Sequence, residues 1–163
     1  MHRCPIRLAS AALGLLVLGS IGSARARAED KAVPTYRCQG FDEPMHRENI
    51  RITRGRVLPL RAKLALPDGK FGDNTTLEAA PKISLQFVPE SGAEVDKTAG
   101  LEVRDYGKGN SFVFDQEAHW KFDLGTGNLP EDGKYRVSLV SGNEGEYRVD
   151  PRCTLVFLLS GGK

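Results

Sequence analysis

The sequence predicts an all-β fold: a single antiparallel immunoglobulin-like β-sandwich, preceded by a cleaved signal peptide. Three observations lead there. Short segments alternate apolar and polar residues with period two. Glycine-rich turns separate them at short intervals, the pattern of a sandwich or barrel. One late segment, Gly133-Lys134-Tyr135-Arg136-Val137, has the arrangement of a tyrosine corner, in which a tyrosine entering a late strand bonds its hydroxyl back to the preceding backbone.

The elements follow in chain order. His2, Arg3 and Arg7 give a basic start, Leu8 to Ile21 is apolar or small, and both Ala24-Arg25-Ala26 and Ala26-Arg27-Ala28 fit a signal peptidase site. The apolar run is too short and too rich in Gly and Ser for a good membrane span. Cleavage is expected after Ala28, making 1–28 a secretory signal and 29–34 a flexible leader. Residues 35–159 form the sandwich domain, and 160–163 are expected to fray.

Val57 to Leu66 is the clearest strand, with Leu58, Leu60, Ala62, Leu64 and Leu66 on one parity and Arg61 and Lys63 on the other. Pro67-Asp68-Gly69 ends it with turn chemistry. Ile83, Leu85 and Phe87 make the next strand. Leu101 with Val103 and Phe112 to Phe114 make weaker ones. Trp120, Phe122 and Leu124 then alternate with Lys121 and Asp123. Tyr135, Val137 and Leu139 alternate with Arg136 and Ser138. Cys153, Leu155, Phe157 and Leu159 share a parity in the last strand.

Charge and cysteines set the compartment. The signal removes four arginines and no acid, leaving 19 basic against 21 acidic residues, a net charge of −2. That balance argues against nucleic acid as a partner, because phosphate binding needs a concentrated basic surface. Cys4 leaves with the signal. Cys38 and Cys153 remain, and in an oxidising compartment two cysteines most simply form one disulfide. A redox or metal role lacks C-x-x-C spacing. The expected location is periplasmic or secreted, with no membrane span after cleavage and no cofactor, and the expected state is a monomer.

Three blocks resemble the PxKF domains, small Ig-like modules of secreted bacterial proteins. They are Gly40-Phe41-Asp42-Glu43-Pro44, the strand Gly55-Arg56-Val57-Leu58-Pro59-Leu60-Arg61, and Trp120-Lys121-Phe122-Asp123-Leu124 followed by Gly133-x-Tyr135-x-Val137. The resemblance runs from Tyr36 to Phe157 and implies an Ig-like fold and export. It implies no settled activity and transfers no binding residue. The family's phenylalanine falls on Ala62, so Trp120 or Phe87 is expected to fill that space.

Candidate chemistry is sparse. Asp68-Gly69-Lys70-Phe71-Gly72-Asp73-Asn74 has acids without the ligand spacing of a calcium loop, and reads as a polar hairpin loop. His46 and His119 have no spaced partners for a zinc set, and His119 reads as a lone surface histidine. Asp115-Gln116-Glu117 and Glu131-Asp132 read as solvated turns. Asn74-Thr75-Thr76 matches a glycosylation sequon, which a bacterial export signal makes a chance match. No G-x-S-x-G or phosphate-binding glycine loop occurs. Trp120, Tyr135, Gly133 and Pro59 are expected to be structural. Tyr106, in the loop Asp105-Tyr106-Gly107-Lys108-Gly109, is the candidate binding residue. The expected function is an exported non-catalytic module contacting another protein or the envelope surface. A carbohydrate-binding module is the alternative, and a small secreted hydrolase fits less well.

Overall fold

The computed structural model describes residues 32–47 and 49–161. The expected signal peptide 1–28, Cys4, and the leader up to residue 31 lie outside the described residues, as do 162 and 163. Among the described residues eleven strands form: β1 (Thr35–Phe41), β2 (Ile50–Thr53), β3 (Val57–Ala65), β4 (Lys82–Val88), β5 (Val95–Asp96), β6 (Glu102–Val103), β7 (Val113–Phe114), β8 (Trp120–Gly125), β9 (Gly133–Val140), β10 (Arg148–Val149) and β11 (Thr154–Ser160). One sheet has the order β10-β1-β3-β8-β6, with β7 also paired to β8, and the other has the order β2-β11-β9-β4-β5.

The period-two parity of the sequence is what joins them. Leu58 lies opposite Leu124, Leu60 opposite Phe122, and Ala62 opposite Trp120. In the second sheet Ile83, Leu85 and Phe87 face Leu139, Val137 and Tyr135. Leu155 and Phe157 lie opposite Val137 and Tyr135. The two apolar faces close on one core, in which these leucines, Trp120, Phe122, Tyr135 and Phe157 are buried. Of the two side chains proposed to fill the space at Ala62, Trp120 is its direct cross-strand neighbour. Phe87 lies in the other sheet and packs on Tyr135.

Four strands have no counterpart in the pattern reading. β2 has four residues, β5 and β10 have two each, and the alternation of β1 breaks at Gly40. Pairings are antiparallel apart from β1 with β10 and β2 with β11, which are parallel. The first edge of the sandwich is therefore divided. β1 belongs to one sheet and β2 to the other.

Backbone contacts continue on both sides of residues 35–159. The carbonyl of Pro34, in the leader, accepts from Arg148 N–H at 2.9 Å. Ser160 is still in β11, paired with Thr53, and Gly161 N–H donates to Asp132. Among the described residues no helix is long and apolar enough to cross a membrane.

Candidate functional site

Most of the singled-out side chains hold the frame. Cys38 and Cys153 are disulfide-bonded, with Cα atoms 5.2 Å apart, joining β1 to the start of β11 and so one sheet to the other. Trp120 is buried, and its Nε1–H donates to Gly72 O at 2.8 Å. Tyr135 Oη–H donates to Glu131 O at 3.0 Å, four residues upstream, which is the contact of a tyrosine corner. Gly133 begins that strand at φ +141°, where a Cβ would stand 2.9 Å from the Phe87 ring. Tyr147 is fully buried, its hydroxyl donating to Ala79 O and accepting from Gly142 N–H.

Pro59 sits inside a strand flanked on both sides, where a missing N–H would normally break a ladder. Its partner across β8 is Asp123, whose N–H and C=O bond Tyr106 and Arg104 on the far side. Pro59 and Asp123 are thus a non-hydrogen-bonded pair. The nitrogen of Pro59 faces the β1 side, and pairing with β1 has stopped at Ala62. No donor is needed there.

The outer face of β8 departs from expectation. The alternation places Lys121 and Asp123 toward solvent, yet every residue of β8 is buried. The segment 101–119 folds over them. Asp115, read above as part of a solvated turn, is 12% exposed at its side chain. Its Oδ1 accepts from Glu117 N–H and His119 N–H, both at 2.9 Å, and its Oδ2 meets the Lys121 ammonium. Burial pushes the Asp115 carboxyl upward, but Lys121 and the two N–H groups outweigh it and hold the group below its ordinary value. Asp115 in turn raises Lys121. Burial raises Asp123.

His119 is corrected in the same way. Its side chain is 17% exposed, with Nε2 3.1 Å from Asp42 Oδ2 and Nδ1 3.8 Å from Asp115 Oδ1. It ties Asp42 to the turn before β8. Asp115, Glu117 and His119 offer ligand atoms within 4.8 Å of one another, a grouping that histidine spacing did not disclose. The Lys121 ammonium already lies against the Asp115 oxygen and 3.7 Å from Glu117. The cluster therefore carries its own cation and works as a staple.

Two open surfaces among the described residues bear on binding. The first is beside Tyr106, which is 41% exposed. The Lys121 ammonium is 5.1 Å from its ring centroid. Asp73, Asn74, Phe114 and Gln116 share a shallow depression with it.

The second follows from the divided edge. Cys153 O accepts from Leu139 N–H, so odd-numbered residues of the last strand turn their backbone toward β9 and even-numbered ones turn away. β2 covers that outer edge along Phe157–Ser160. On the other side of the gap, Cys38 N–H of β1 reaches only as far as Pro151 O. Between them lies a groove of about 470 Å³ lined by Gly40, Phe41, Met45, Arg47, Asn49 and Thr154 to Val156. That parity turns the N–H of Thr154 and Val156 away from β9, on the part of β11 that precedes its pairing with β2.

No family model matches this chain, and no curated protein matches it. Solved structures resembling it include the Lin-41 filamin domain, at 11% identity over 77% of this chain and 91% of that one, TM-score 0.38. Titin domain M7 is similar at 5% identity over 80% and 96%, TM-score 0.34. Murine CRIg is similar at 9% identity over 72% and 94%, TM-score 0.33.

Proposed function

We propose that this chain is an exported, non-catalytic Ig-like module of PxKF type that binds another exported protein or the envelope surface. The observation that carries the reading is the groove on the divided edge, where the N–H groups of Thr154 and Val156 turn away from β9 between β1 and β2. An extended segment of a partner would continue the sheet there, taking affinity from main-chain hydrogen bonds and specificity from the flanking side chains. The disulfide, closing a separation of 115 residues, suits a domain that works outside the reducing cytosol. The test is capture in the producing organism. The chain is tagged at Lys163, exported, lightly crosslinked, and its companions identified by mass spectrometry. One reproducible exported protein supports the reading, and an empty capture at low and high salt removes it.

A second reading, a carbohydrate-binding module, is favoured by one observation. Tyr106 is an exposed aromatic ring in a depression bordered by amide and carboxylate side chains. Retention on immobilised glycan that survives loss of Tyr106 would count against it.

A further inference from the structure

Resting on that second reading, we infer that the depression beside Tyr106 is a subsite for a neutral saccharide. A sugar ring offers an apolar C–H face and a rim of hydroxyls that both donate and accept. The depression offers the counterparts. Tyr106 supplies an aromatic surface, and Asn74 and Gln116 supply amides able to donate and accept. Asp73 supplies a carboxylate. Thr75 and Thr76 donate to it and hold its pKa down at about 2, so it stays an ionised acceptor at neutral pH.

Tyr106 and Asp73 are held before any ligand arrives. Tyr106 O accepts from Asp123 N–H at 2.7 Å, tying the loop to β8. Gly107 follows at φ +125°, with its α-carbon packed so closely on Val103 and Phe122 that a Cβ would stand 2.8 Å from Val103. The Lys121 ammonium, held by Asp115, lies 5.1 Å from the ring centroid. Three segments distant in sequence thus converge on one depression, with the ring and the carboxylate already placed.

Charge selects the sugar class. Asp73 and Asp115 are the ionisable acids lining the depression, and Lys121 already neutralises Asp115. The remaining field is negative. It repels phosphorylated or uronic sugars and leaves neutral or N-acetylated hexoses as the fit.

The test uses the mature chain with cellohexaose, maltohexaose and chitohexaose, and oligogalacturonate as the anionic contrast. Amide NMR shifts are followed. At least one neutral oligosaccharide should move the signals of Asn74, Tyr106 and Gln116, and oligogalacturonate should not. Tyr106→Ala should weaken binding about tenfold, and Tyr106→Phe should stay within about threefold, because the ring is kept. Unchanged melting of both variants separates binding from folding. Shifts confined to another face overturn the subsite while the carbohydrate reading stands. No shift at about 10 mM with any neutral probe overturns both, and the protein-partner reading is then judged by its own capture experiment. Equal binding by Tyr106→Ala also overturns the assignment.

Discussion

In β8, Trp120, Phe122 and Leu124 alternate with Lys121 and Asp123. In β9, Tyr135, Val137 and Leu139 alternate with Arg136 and Ser138. The apolar parity of both strands meets the core. The other parity diverges: in β9 it stays partly open to solvent, whereas in β8 it is buried under the segment 101–119. Period two reports which face a strand turns inward. It does not report whether a long connection will come back over the outer face. That return is affordable in free-energy terms here because Lys121 and Asp115 neutralise each other and Asp115 also caps two N–H groups.

The largest expected effect concerns what joins the two sheets. Reducing the Cys38–Cys153 bond, or replacing both cysteines by serine, should lower unfolding free energy by up to about 4–5 kcal/mol in the chain-entropy picture. Urea titration with and without reductant measures it. The domain should remain folded in reductant, since both strand sets keep their core. An unchanged midpoint would mean the bond contributes nothing to holding the sheets.

Next comes the contrast itself. Lys121→Met leaves Asp115 buried without its cation and should cost several degrees in melting temperature. Arg136→Met, at the equivalent outward position of β9, breaks only a partly exposed pair with Glu94 and should stay within about 0.5 kcal/mol. Equal effects would mean the outer face of β8 is not covered.

A smaller effect tests the corner that sets the start of β9. Tyr135→Phe keeps the ring and removes one hydrogen bond to Glu131 O, so it should cost about 1 kcal/mol in chemical denaturation. No loss would mean the hydroxyl bond is absent.

The smallest is a pH effect with opposite signs in one cluster. Asp123 has its folded pKa raised above 3.8 by burial, so its charge disfavours the fold above that raised value. Asp123→Asn should give a small gain in melting temperature at pH 7 that shrinks as pH falls toward 4. Asp115 is depressed below 3.8, so its contribution is full above that value and is lost as pH falls through the lower folded pKa. A gain at Asp123→Asn that is flat across this range would remove burial as the cause.

Much of the frame was readable from residues alone. The strands β3, β4, β8, β9 and β11, their inward parity, the placement of Trp120 and the turn before Tyr135 follow from alternation and glycine position, whereas β1 was missed because its alternation breaks at Gly40. What escaped has a common physical origin. β5 and β10 are two residues long, too short to show a period, and exist because a neighbour's backbone is within reach. Asp115 and His119 looked like solvated residues because their partners, Lys121 and Asp42, come from other elements. The D-x-E-x-H spacing of Asp115, Glu117 and His119 was visible, but only the turn before β8 brings the three together. The groove at Thr154 to Val156 could not be foreseen at all, because it is a gap between two strands that were not distinguished.

The account turns on that gap, and a photo-crosslinking residue placed at Thr154 tests it most directly. The same residue placed at Glu90, in the turn between β4 and β5, serves as control. In the producing organism, irradiation should join the Thr154 position to one exported protein and leave the Glu90 position without it. Labelling of the same protein from both positions, or no labelling from Thr154, would contradict an interaction surface on the divided edge.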